Sequence, residues 1–263
     1  MDMEAVRMRS HVKGWILAGA TALAFSSGLR AQMEQPAGAA KAPSASAPAP
    51  VHDLTGVWNM RSTPAQRKFI GSTYTLEAPE MTPWGKAKYE AAKPSNGPRS
   101  NALKVTDDPV LRTCLPPGTP RIYLQPFPLQ FVQTPKEVII LYEYDHTVRH
   151  IFTDGRPHPA DITPTYMGHS IGKWDGDTLV VDTAGFNEKT WLDRDGHQHS
   201  DQLHVVERFL RVDRDNLQVD ITMEDPKALV KPWITQLHFQ LKPDWDIMEL
   251  ACTDNAAFED FEK

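Results

Sequence analysis

Beyond residue 31 the sequence has no apolar run long enough to cross a membrane as a helix, which excludes a helical span there. It has no basic stripe interleaved with aromatics, and acids outnumber bases 34 to 28. Four of the bases (Arg7, Arg9, Lys13, Arg30) and two of the acids (Asp2, Glu4) lie in residues 1–31, so the remainder has 24 bases against 32 acids, a formal charge of −8. Such a chain is not expected to seek nucleic acid or anionic lipid. There is no HExxH, no CxxC, and no alternation of strand and helix patterns of the kind a doubly wound sheet needs.

Cysteine is nearly absent too: Cys114 and Cys252 are the two. In an oxidising compartment such a pair is expected to bridge. A reactive thiol is the weaker alternative, because neither cysteine opens a helix or has a second cysteine two residues away.

The N-terminus points to that compartment. Arg7, Arg9 and Lys13 precede the apolar stretch WILAGATALAFSSGL, residues 15–29, which is followed by Leu29-Arg30-Ala31. This is the layout of a secretory signal peptide over 1–31, an uncleaved anchor being the alternative. The expected location is periplasmic or secreted. Residues 32–51 are rich in Ala, Pro and Ser, as in a linker. Residues 52–263 are then one domain by size.

Within that domain only Thr82–Lys93 reads as a helix, with Thr82 as cap and Pro83 in its first turn. The rest reads as short strands and tight turns. Lys136–Tyr144 and Thr147–Phe152 are strands. Ser170–Trp174 and Asp177–Thr183 flank the turn Asp175-Gly176. Leu203–Val212, Leu217–Met223, Trp233–Lys242 and Trp245–Cys252 follow. Leu217, Val219, Ile221 and Met223 alternate with polar residues, as in antiparallel strands with one apolar face. The fold class is therefore mainly β: an antiparallel up-and-down barrel or strongly curled sheet, with one short N-terminal helix and long loops. Leu54-Thr-Gly-Val-Trp58 resembles the opening of lipocalin-like barrels, in which the tryptophan plugs one end.

Two long polar connections, Asp154–His169 and Ala184–Gln202, hold most of the candidate chemistry. Gly168-His-Ser-Ile-Gly172 matches the G-x-S-x-G nucleophile elbow, but a hairpin follows where a hydrolase needs a helix. His197-x-His199 has metal-like spacing, with Asp201 or His204 as a third ligand. An acid–base reading uses the same region. His199 is the base, oriented by Asp201 or Asp193, and His204, His169 and Arg208 complete the catalytic set. Trp191, Tyr144, Arg149, His150, Glu207 and Asn187 are expected to bind substrate. Glu207 shares a face with Leu203, Val205 and Phe209, so it either lies in a ligand pocket or pairs with an arginine across the strands. The bland alternative is that these are exposed loop histidines and strand-surface charges.

The stretch from Met167 to Asn187, with Thr190-Trp-Leu-Asp193, His199-Ser-Asp and Glu207-Arg-Phe, resembles a group of secreted bacterial proteins of unassigned function. The likeness runs from about Leu54 to Cys252, and it implies no particular reaction. Three functions remain open. One is a secreted enzyme doing His/Asp acid–base chemistry on a small, partly apolar, oxygenated molecule, of lyase, isomerase or hydratase type and without an organic cofactor. The second is a lipocalin-like carrier. The third is a metal-dependent enzyme using His197, His199 and His204. The expected partner is a small molecule.

Overall fold

The computed structural model describes residues 52–252. The expected signal peptide and linker lie outside the described residues. Nine strands close into one barrel, in which each strand pairs with its sequence neighbours and the last pairs with the first. They are β1 (Gly56–Met60), β2 (Leu129–Gln133), β3 (Glu137–Tyr142), β4 (Val148–Phe152), β5 (His169–Asp175), β6 (Thr178–Ala184), β7 (His204–Arg211), β8 (Asn216–Glu224) and β9 (Trp233–Leu241).

The period-two pattern is realised as alternating burial. Leu217, Val219, Ile221 and Met223 of β8 face inward, as do Trp233, Leu237 and Phe239 of β9. Each such side chain contributes roughly 1.5–3 kcal/mol when fully buried. The inward-facing side chains of β6 to β9 are almost wholly closed to solvent. Trp58 is completely buried, gives its indole N–H to the Leu54 carbonyl at 2.9 Å, and lies 5.1 Å from the Arg211 guanidinium.

Three strand expectations change. β2 went unread, although Leu129 and Phe131 alternate inward with Gln130 between them. Trp245–Cys252 is not a strand: β9 is already paired with both β8 and β1, so no open edge remains to take it. The barrel is also not wholly antiparallel. β4 and β5 run parallel, in register over two pairs only, Ile151 with Ser170 and Phe152 with Ile171. Residues 153–168 make this possible by carrying the chain back to the start of β4 before β5 begins.

The helix expected after Thr82 is α1 (Pro83–Ala91), capped as anticipated by the Thr82 hydroxyl, which accepts from the Gly85 N–H at 3.1 Å. Gly85 is needed there because a Cβ would meet the Ala228 carbonyl oxygen at 2.2 Å. A second short helix, α2 (Pro109–Thr113), ends at Cys114, which is disulfide-bonded to Cys252 across 138 residues. In the chain-entropy account a loop of this size gives ~4–5 kcal/mol of stabilisation. Among the described residues no helix is long and apolar enough to cross a membrane.

Candidate functional site

The 185–203 connection is more buried than a polar rim loop would be. Asp193 is its organiser. One carboxylate oxygen accepts the backbone N–H groups of Asp195, Gly196 and His197 at 3.0–3.1 Å. The other receives His197 Nδ1 at 2.7 Å. Asp193 therefore orients His197, not His199.

His199 itself is only 3% exposed. Its Nδ1–H donates to the Ser200 carbonyl and its Nε2 accepts from the Thr190 hydroxyl, both at 2.9 Å. Burial holds its pKa below the ordinary value, against the opposing hydrogen bond to Ser200 and the charges of Asp225 and Glu188. Its basic lone pair is thus already engaged. Asp201 points elsewhere: it is exposed, and lies 4.0 Å from Lys227. His197, His199 and His204 each have separate partners. Among the described residues no group of three or more His, Cys, Asp or Glu side chains is arranged to hold a metal ion.

Glu207 is fully buried, and of its two expected settings the cross-strand arginine pair is present. Arg149 reaches it with both terminal nitrogens. The same guanidinium donates to Tyr123 Oη (3.0 Å), Ser170 Oγ (3.0 Å) and Thr183 Oγ1 (2.9 Å). Tyr123 adds a bond to Glu207 at 2.7 Å. A guanidinium has five N–H groups, and here all five are committed inside the protein. Arg149 is therefore a framework residue in this conformation. Burial and the Glu207 charge hold the Tyr123 phenol far above its ordinary range.

The other substrate-binding candidates do not gather at one place, although His150 lines the same cleft as His169. Tyr144 is buried with its hydroxyl on Cys252 Sγ at 3.4 Å, and burial pushes its pKa to about 12. Trp191 is buried beside Arg121. Asn187 caps the Lys189 N–H. His150 is exposed and paired with Glu137 at 2.9 Å, and Arg208 is paired with Asp175 at 3.0 Å.

His169 and His204 do meet, through residues that the sequence left in the background. They lie with Asp182 on the outward positions of three adjacent strands. His204 Nε2 is 3.0 Å from one oxygen of Asp182, and His158 Nε2 is 2.9 Å from the other. His158 Nδ1 then lies 2.8 Å from His169 Nδ1. Burial opposes the charge of Asp182, but the hydrogen bonds from His158 and His204 outweigh it and keep the carboxyl below its usual value. His169 is shifted down by partial burial, then by His158 and Arg156.

This chain of groups joins two clefts. Asp182 lines one of about 700 Å³, together with Arg156, Lys173, Trp174 and Arg208. His169 lines the other, of about 500 Å³, with His150, Phe152, Tyr166 and Met167. The second cleft opens where β4 and β5 share only two residue pairs, a gap made by the parallel crossover. His158 and Asp182 were readable as titratable groups. Their alignment was not, because it depends on the path of residues 153–168.

No known family model matches the chain, and no curated protein matches it. The resemblance to secreted bacterial proteins rests on its motifs alone. The barrel itself is plain in the structure.

Proposed function

We propose that this protein is a small-molecule enzyme that works by proton transfer, with His169 as the base. The observation behind this reading is the hydrogen-bonded series Asp182–His158–His169, which ends in a cleft large enough for a small substrate. A carboxylate only accepts, so it keeps a proton on His158 Nε2. His158 Nδ1 must then accept from His169 Nδ1–H. That leaves the His169 Nε2 lone pair as the base. It takes the proton from a carbon next to a carbonyl and later returns it. The positive charge formed meanwhile on the paired imidazoles is countered by Asp182. Proton abstraction of this type begins both isomerisation and β-elimination, which keeps the lyase, isomerase and hydratase classes together. Phe152, Tyr166 and Met167 suit a partly apolar substrate. The inward-facing side chains of β6 to β9 are closed to solvent, which gives an open-mouthed carrier no support there.

The test is solvent exchange. Small 2-hydroxy acids, hydroxyketones and unsaturated acids are incubated with the protein in deuterium oxide, and C–H loss beside the carbonyl is followed by proton NMR. Exchange above the blank that disappears in His169→Ala is expected. Exchange in none of them, or exchange that survives His169→Ala, overturns the reading.

A further inference from the structure

The enclosed guanidiniums of Arg121 and Arg149 are treated differently by the fold. Arg149 has every N–H bonded. Arg121, 1% exposed, places Nη2 on both oxygens of Asp108, at 2.8 and 2.6 Å, while its Nε and Nη1 have no partner. Those two nitrogens carry three N–H donors. Among the other enclosed atoms in the same position are the hydroxyl of Tyr74, 1% exposed, and Nε2 of His197, 3% exposed. Buried polar side-chain atoms without a partner are uncommon in folded proteins, and each calls for an explanation.

These three residues come from distant segments and converge. Tyr74 packs edge-on against Trp233 at 5.3 Å, and Trp233 packs edge-on against His197 at 5.2 Å. Tyr89 stacks on His197 at 4.3 Å, and Arg121 lies 5.7 Å from the Trp191 ring. Burial raises the Tyr74 phenol most, followed by the charge of Asp193, with the Arg121 guanidinium acting in the opposite direction.

The donor and acceptor pattern identifies what fits. Arg121 only donates. The Nδ1–H of His197 goes to Asp193, so its Nε2 accepts. Tyr74 can do either. A molecule at this point must therefore accept from Arg121 and donate to His197, as a compound with several hydroxyls does. Arg121 is already matched by Asp108, and Asp193 by three backbone amides and the Nδ1–H of His197, so neither of these two charges calls for a counter-ion. The indole faces of Trp191 and Trp233 suit the C–H faces of a sugar-like ring.

We infer that the protein holds a small neutral polyol at a buried site formed by Tyr74, Arg121 and His197 against Trp191 and Trp233. This site is separate from the His169 cleft and does not depend on the acid–base reading.

Calorimetry and saturation-transfer NMR on the full chain test it, with D-xylose, myo-inositol and glycerol as probes and glycolate and benzoate as anionic comparators. At least one polyol should bind saturably. Tyr74→Phe, which removes only the unpartnered oxygen, should weaken that binding by about tenfold or more, as expected for loss of a buried hydrogen bond. The unliganded variant should melt at the same temperature or higher. His197→Gln serves the same purpose if Tyr74→Phe does not fold. Saturable binding of none of the polyols means that water alone satisfies these atoms, and overturns the inference. So does binding of the anions in their place, or polyol affinity unchanged in both variants.

Discussion

His158 and His169 face each other Nδ1 to Nδ1 at 2.8 Å, so only one of them carries the proton between them. Asp182 decides which, by fixing the proton on the far nitrogen of His158. In Asp182→Asn the side chain presents an NH2 group to either His158 or His204. Facing His158, it donates to Nε2, moves that ring's proton to Nδ1, and so puts the His169 proton on Nε2, where the base needs a lone pair. The exchange rate should fall by ~10²–10⁴, the usual worth of a positioned general base. The fold should hold, because the Asp182 side chain is 43% exposed. An unchanged rate, with unchanged nitrogen-15 shifts on both rings, would remove Asp182 from the mechanism.

The same relay sets a pH profile. A base works when deprotonated, and partial burial together with His158 and Arg156 places the His169 titration below the ordinary 6.5. Activity should therefore rise with pH through a midpoint below 6.5. A midpoint above 6.5 would identify a different base.

Glu207 and Arg149 offer a stability test. Removing one member of a buried ion pair leaves the other uncompensated, at a cost of ~3–5 kcal/mol. Arg149→Met should show a loss of this size by denaturant unfolding. It should be larger than that of Arg208→Met, whose partner Asp175 is exposed and whose pair is worth at most about 1 kcal/mol. Equal losses would mean that the interior pair contributes no more than a surface one.

The barrel was legible because burial follows a period of two, and β6 to β9 keep it strictly. β2 was missed because a five-residue strand between prolines carries too few alternations to stand out. Glu207 was readable as anomalous from its apolar face-mates, and Arg149 was the kind of partner it needed. The histidines were harder. His169, His204 and Asp182 are neighbours through strand pairing, but the sequence favoured His199 because loop histidines beside an Asp-Gly turn resemble a solvent-facing site. The backbone folds around Asp193 and takes His197 and His199 inward, a result of three amide hydrogen bonds that no residue pattern announces.

The disulfide gives a second stability prediction. Cys114–Cys252 fastens α2 to the segment that follows β9. Replacing both cysteines with serine should cost ~2–5 kcal/mol. A reductant should lower the melting temperature of the native chain and leave that of the double variant unchanged. If the reductant lowers both equally, the bridge is not the source of the difference.

His199 provides the last test, and its sign can be worked out. Its folded pKa is depressed, chiefly by burial, while in the unfolded chain it returns to about 6.5. Above that value both states are neutral and the residue adds no pH dependence. As pH falls below it, the unfolded state takes up a proton that the folded state refuses, so stability declines. His199→Gln cannot titrate and should lose this part of the decline, flattening the melting temperature between neutral pH and the onset of carboxylate protonation. His199→Ala should in addition be destabilised by ~1–3 kcal/mol, because it strands the buried Thr190 hydroxyl and the Ser200 carbonyl. A His199→Ala protein of native stability that has lost proton exchange would instead return the base to His199 and leave His169 as a surface histidine.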